Sequence, residues 1–155
     1  MARKLKPKIS VKPASPVTAT KFENDNTCLI ISYKHLCLSN KKYSMDLVND
    51  SKEKISYYDS LYKKLNEYSQ HENFKKYVTS NHWYRNTNHI HLINWNDIKI
   101  KEACFSSLDK SLMDQVKNDC WQLGINQQFR IHGFFIENVF YIVWLDPLHN
   151  LYERK

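Results

Sequence analysis

Two strongly β-forming runs near the C-terminus constrain the fold of this chain more than any other feature. They span residues 129–136 and 139–145, and only Glu137 and Asn138 separate them. Two residues between such runs are typical of a tight β-hairpin. Asn138 tolerates a positive φ angle and Glu137 does so poorly, so the turn type stays open. Pro147 follows the second run and cannot continue a strand ladder, so the hairpin ends there.

Alternation of side chains along this hairpin separates two faces. On the second strand, Phe140, Ile142 and Trp144 share one face. On the first strand, Arg130 and His132 share a face, because one residue lies between them. We expect one face of the hairpin to be core and the face of Arg130 and His132 to be the exposed edge of a site.

The other segments predict helices and short strands. Residues 27–38 are dense in β-branched and aromatic side chains, which predicts a strand. Residues 50–69 begin with a capping-box pattern and continue with apolar residues at three- and four-residue steps, which predicts a helix. A short second helix follows and completes a helical hairpin. Residues 80–95 lack helical periodicity and predict an irregular surface segment; residues 97–100 predict a short strand, and 107–120 a short helix.

These elements predict a single α+β domain over residues 23–155, with a mainly antiparallel sheet and the helical hairpin on one face. Residues 1–22 predict a disordered basic arm, because they contain three of the four prolines and no Asp or Glu. The arm carries six of the seven net positive charges, so the domain itself is nearly neutral. Binding of RNA or DNA phosphates and a merely solvated tail both stay open for the arm. Its basic residues are Arg3, Lys4, Lys6, Lys8, Lys12 and Lys21.

Several classes of protein are disfavoured by what the sequence lacks. The four cysteines form no C-x-x-C pair, so we expect reduced thiols in a cytoplasmic protein without a structural metal. No apolar run approaches the roughly 20 residues that a membrane span needs, so we expect no membrane association. No glycine-rich nucleotide loop or G-x-S-x-G elbow occurs, and we expect no cofactor.

The first group of candidate site residues lies along the C-terminal hairpin. Arg130 and His132 project from its first strand, Asp146 and His149 lie at the end of the second strand and beyond it, and Tyr152 comes last. RNA cleavage needs a base for the 2′-hydroxyl, an acid for the leaving oxygen and a cation for the phosphate, and these residue types suit those roles. The alternative is structural: Arg130 pairs with Asp146, and the histidines are ordinary half-buried strand residues.

The second group lies in the aromatic segment 80–95. His82, Trp83 and Arg85 combine an aromatic ring with basic and imidazole groups, which is typical of surfaces that stack on bases. His89 and His91 would lie on one side of an extended strand as a possible metal pair, but no third ligand has suitable spacing. The segment could instead simply cover the core with its aromatic side chains.

The C-terminal stretch FRIHGFFIENVFYIVWLDPLHNLY resembles the end of RelE/YoeB-like toxins, the ribosome-dependent mRNA endonucleases of bacterial toxin–antitoxin systems. Members of that family end with an arginine on a strand, a short hairpin, an aromatic-rich strand and a late His or Tyr. The resemblance implies that Arg130 holds the scissile phosphate. It implies further that His132 and His149 act as acid and base and that Tyr152 orients or donates.

That resemblance also implies partners: RNA or a ribosome as the target, and an antitoxin-like protein as the inhibitor. No metal or cofactor would be required. The same ending resembles small uncharacterised bacterial and prophage proteins, a likeness that assigns no chemistry. The sequence therefore predicts a RelE-like RNA endonuclease, a toxin or phage-defence component. The alternative is a non-catalytic accessory protein of phage or mobile-element origin that binds nucleic acid or protein.

Overall fold

The computed structural model describes residues 28–98 and 104–152, so the predicted arm over 1–22 lies outside the described residues. The strands are β1 (Ile30–Ser32), β2 (His91–Leu92), β3 (Cys120–Gly124), β4 (Arg130–Ile136) and β5 (Val139–Asp146). The helices are α1 (Ser51–Ser69), α2 (Phe74–Ser80), α3 (His82–Thr87) and α4 (Lys110–Val116). One sheet has the order β1-β5-β4-β3-β2; β1 pairs with β5 in parallel, and the other pairs are antiparallel. The predicted α+β class with a mainly antiparallel sheet is confirmed.

Side chains cover the sheet on both faces. On one face, α1, α2 and α3 pack against Ile131, Phe135 and Ile142 of the hairpin. This arrangement confirms the prediction of a helical hairpin on one face. On the other face, a second core contains Phe134 and Val143 together with the side chains of α4 and of the segment before it. The expectation that one face of the hairpin would be an exposed site edge is therefore wrong, because a second layer of the chain buries it.

The helix α1 follows closely from its sequence. The Asp50 side chain accepts a hydrogen bond from the backbone N–H of Glu53 at 2.8 Å, as the capping pattern predicted. Tyr57, Leu61, Leu65 and Tyr68 then form its buried stripe. This is the longest of the helices. Within the described ranges, no helix is both long and apolar enough to cross a membrane.

Four predictions of secondary structure need correction. The first strand covers only Ile30–Ser32 of the predicted 27–38. The predicted irregular segment 80–95 contains α3 and β2. The helix predicted to reach residue 120 ends at Val116, and β3 begins four residues later. Residues 97 and 98 form no strand, and 99 and 100 lie outside the described residues.

The turn of the hairpin occurs where it was predicted, and the strands beside it are irregular at one place. Glu137 takes the positive φ angle, 53°, although Asn138 is the residue better suited to it. Farther from the turn, Gly133 pairs with Ile142 and His132 with Trp144, so Val143 is an extra residue on β5. This β-bulge reverses the face on which the following side chains of β5 lie.

Candidate functional site

A buried contact between His132 and Asp146 joins the two strands of the hairpin at their open end. The Asp146 carboxylate is fully buried, and its Oδ2 lies 3.3 Å from Nε2 of His132, which is also fully buried. Asp146 also accepts hydrogen bonds from the backbone N–H groups of Asn150 (2.8 Å) and Leu151 (3.0 Å). Burial alone would raise the pKa of Asp146, but His132 and these two N–H groups lower it overall. Asp146 thus holds the C-terminal loop against the sheet.

Arg130 is committed to the protein interior. Only 3% of the residue is exposed. Its guanidinium donates hydrogen bonds to the backbone carbonyls of Asn126 (2.7 Å), Phe129 (2.9 Å) and Gln127 (3.1 Å). Burial lowers the pKa of Arg130, an effect that Asp146 opposes. In this conformation the guanidinium caps the β3–β4 loop, and it does not face solvent where a phosphate would bind.

The structure brings the other two predicted catalytic residues together. His149 and Tyr152 are half-buried in the loop after β5, with ring centroids 6.5 Å apart. His91 joins them, with its ring 5.4 Å from that of Tyr152. Burial, more than any neighbour, lowers the pKa of His91 and raises that of Tyr152. The four predicted catalytic residues are thus divided between the interior, which holds Arg130 and His132, and this partly exposed cluster.

The possible metal pair is not formed as expected. His89 has a φ angle of 52°, so the backbone before β2 is not extended, and the alternation assumed for His89 and His91 does not apply. His91 instead makes a 3.0 Å contact between its Nε2 and the side-chain nitrogen of Gln122. Among residues 28–98 and 104–152, no group of three His, Cys, Asp or Glu side chains could hold a metal ion.

The predicted base-stacking residues lie together on α3. Trp83 is 75% exposed, and Arg85 donates a hydrogen bond to Nδ1 of His82 at 2.9 Å. The helix is held in place from behind by Tyr84, which is buried and donates a hydrogen bond to Glu67 of α1 at 3.1 Å. His82 and Arg85 are about one helical turn apart and share a side of α3, whereas Trp83 and Arg85 lie on opposite sides of the buried Tyr84. We call the exposed part of α3 that carries His82, Trp83 and Arg85 the α3 face. The remaining predicted nucleic-acid contacts, Arg3, Lys4, Lys6, Lys8 and Lys12, lie outside the described residues.

A small pocket of about 190 Å³ lies at the C-terminal end of α3. None of the described residues that line it is acidic. Partial burial, and then the positive charge of Arg130, lower the pKa of the His89 imidazole at its rim. Sequence reasoning missed the amide side chains in this pocket, because they come from separate turns with no shared periodicity. The lining consists of Lys64, Thr87, Asn88, His89, Gly124, Ile125, Asn126 and Gln127.

Comparison with known families matches residues 32–155 to the family described as Uncharacterised protein UU032. The chain belongs to that family. No curated protein and no solved structure matches the chain. The family match includes α3 and the whole C-terminal hairpin, but it brings no activity with it. The resemblance of the C-terminal stretch to RelE/YoeB-like toxins therefore stays a prediction.

Proposed function

We propose that this protein binds single-stranded nucleic acid through the α3 face and the adjoining pocket. The observation that carries the proposal is the 75% exposure of Trp83 on a helix whose opposite side is anchored in the core. An exposed indole ring offers a flat surface on which a nucleobase can stack. Stacking of one base on an aromatic side chain contributes about 1–3 kcal/mol to binding.

The neighbours of Trp83 support the same class of ligand. Arg85 lies within hydrogen-bonding distance of His82, and its guanidinium carries the positive charge of the α3 face. Arginine suits nucleic acid because its planar group both stacks on bases and binds phosphates. The pocket beside α3 offers amide side chains that can donate to and accept from base edges, with no carboxylate in its described lining to repel a phosphate.

The basic residues in 1–22 supply a long-range attraction for phosphates, which the nearly neutral domain lacks. Six basic residues in 1–22 carry nearly all of the net charge of +7. Contacts between such charges and phosphates release counterions, so they strengthen binding at low salt without sequence preference. We therefore expect the arm to set the salt dependence of binding and the α3 face to select single strands.

Fluorescence anisotropy with labelled single-stranded RNA and DNA oligonucleotides tests the proposal. Trp83→Ala should weaken binding roughly tenfold, the effect of losing one stacked base. Trp83→Phe should retain most of the affinity, because a phenyl ring still stacks. Leu92→Ala is the matched control, since Leu92 is also an exposed apolar residue but lies on β2. Equal affinities for wild type and Trp83→Ala, or no binding by wild type at low salt, would contradict the proposal.

The endonuclease function stays a prediction with less support. It requires a cation and an imidazole to reach the phosphate, and both Arg130 and His132 are buried. What favours it is the half-buried cluster of His91, His149 and Tyr152, which holds two imidazoles and a phenol beside one another. Cleavage of RNA therefore has to be measured separately from binding.

A further inference from the structure

The helix α1 has a second apolar stripe that the core does not use. Ile55, Tyr58 and Tyr62 are exposed, and Ile55 and Tyr62 keep 68% and 65% of their surface in contact with solvent. Their spacing of three and four residues places them on one side of the helix, next to its buried stripe. We call these three residues the exposed α1 stripe.

One further exposed apolar residue, Tyr33, extends this surface to the edge of the sheet. Tyr33 follows β1 and is 45% exposed, whereas the exposed Ile30 lies on the opposite face, because its neighbour Ile31 packs against the helices. Partial burial, and then Tyr62, raise the pKa of Tyr33, because the two phenols lie near each other. Within the part of the chain that the structure describes, β1 is at the end of the sheet, with β5 as its single neighbour. Clustered exposed apolar side chains next to an open sheet edge are typical of a protein interface.

We propose that the exposed α1 stripe is the interface of a homodimer, in which α1 packs antiparallel against α1 of a second copy of this chain. Two charged residues beside the stripe are opposite in sign, so this surface is complementary to the same surface on a second copy. Asp59 and Lys63 are exposed and one helical turn apart, with Oδ2 and Nζ separated by 2.6 Å. In an antiparallel pair, Asp59 of one copy faces Lys63 of the other, and the reverse contact forms at the same time.

The extent of the surface fits a homodimer. The exposed parts of the three stripe residues and Tyr33 amount to roughly 400 Å², taking about 200 Å² for a whole side chain of this size. A standard interface buries about 800 Å² on each partner, and homodimer interfaces are about 65% apolar, so these four side chains would supply most of its apolar area. The 19 residues of α1 also give a contact about 28 Å long.

Sedimentation equilibrium on the full chain tests the dimer, and charge reversal tests its geometry. Asp59→Lys and Lys63→Asp should each weaken self-association, because like charges then face each other. An equimolar mixture of the two variants should recover it, since every facing pair is again opposite in sign. A purely structural effect of either substitution would not be reversed by mixing. The expected recovery is a dimerisation constant within about threefold of wild type, less than one kcal/mol.

A single substitution in the stripe supplies the second arm of the test. Tyr62→Lys should weaken dimerisation at least thirtyfold, about the effect of removing an aromatic hot spot. Leu92→Lys is the control, because Leu92 is 50% exposed at the opposite edge of the sheet and should leave the dimer intact. A monomeric wild type at about 100 μM, well above the range of most specific dimers, would overturn the proposal. So would a charge-reversed mixture that stays monomeric, or equal losses in Tyr62→Lys and Leu92→Lys.

Discussion

Replacement of Asp146 by alanine should remove a large part of the stability of the domain. The substitution leaves two buried donors without their partner: the imidazole of His132 and the backbone N–H of Leu151. Each buried donor left unsatisfied costs about 1–3 kcal/mol, so the two together cost about 2–6 kcal/mol. Asn150 is a half-exposed residue, so we expect its N–H to recover a hydrogen bond from water. A typical domain has about 5–15 kcal/mol of stability in total.

Urea denaturation followed by tryptophan fluorescence measures this loss. With a slope of about 2 kcal/mol per molar urea, a loss of about 4 kcal/mol moves the midpoint down by about 2 M. Asp146→Asn should lose less, because its amide oxygen still accepts one of the N–H groups. Asp114→Ala is the surface control, since its contact with Lys117 is long (3.8 Å) and exposed and should change stability by less than about 0.5 kcal/mol. A midpoint for Asp146→Ala within about 0.3 M of wild type would refute the reasoning.

The same carboxylate predicts how stability depends on pH. The pKa of Asp146 is lower in the folded protein than in the unfolded chain, where it is about 3.9. The unfolded chain therefore binds the proton more readily, and the stabilisation is fully present above about pH 4 and lost as the pH falls through the folded-state pKa. The difference in unfolding free energy between wild type and Asp146→Ala should be largest near neutral pH and should shrink in acid. An unchanged difference at about pH 2 would contradict this assignment.

Four further substitutions test the core and the predicted chemistry. Gly133→Ala should cost about 1–3 kcal/mol or more in urea denaturation, because a Cβ at this position would overlap the carbonyl oxygen of Tyr141; an unchanged midpoint would contradict the close approach. Val143→Asp should unfold the domain, since Val143 is fully buried and an unpaired carboxylate there costs several kcal/mol; cooperative melting of the variant would show otherwise. If the protein cleaves RNA, His149→Ala should lower the cleavage rate about a hundredfold, while equal rates would exclude His149 from the chemistry. Arg130→Ala should lower the melting temperature, because three backbone carbonyls lose a buried donor. Any loss of RNA cleavage in this variant should follow from that loss of stability.

Local signals in the sequence were enough to predict the elements whose stability is local. The Asp50 cap predicted the start of α1, which depends on contacts within four residues. The apolar spacing predicted its buried face only in part: Leu61, Leu65 and Tyr68 are buried, but Ile55 and Tyr58 of the same pattern are exposed. The two-residue turn at Glu137 and Asn138 was placed correctly for the same reason. Its positive φ angle was not assignable, because the register of the strands decides which of the two residues takes it.

Elements stabilised by distant contacts were missed. Every residue of β3 (Cys120–Gly124) is buried. Its sequence therefore shows no alternation of polar and apolar residues that would predict a strand. The position of Arg130 depends on carbonyls of the β3–β4 loop, which no periodicity reveals. An arginine on a strand was therefore read as a group for binding phosphate, although in the folded chain it holds a loop.

The β-bulge explains why Asp146 could not be placed from alternation. Strict alternation puts Asp146 on the same face as Phe140 and Ile142, which pack against α1–α3. Because Val143 is an extra residue, the phase changes, and Trp144 lies in the opposite core, where it stacks on Tyr43 with ring centroids 4.6 Å apart. Asp146 moves with it to the face of His132, which makes their hydrogen bond possible. A single inserted residue thus lets Asp146 connect the hairpin to the C-terminal loop on a face that the second layer of the chain buries.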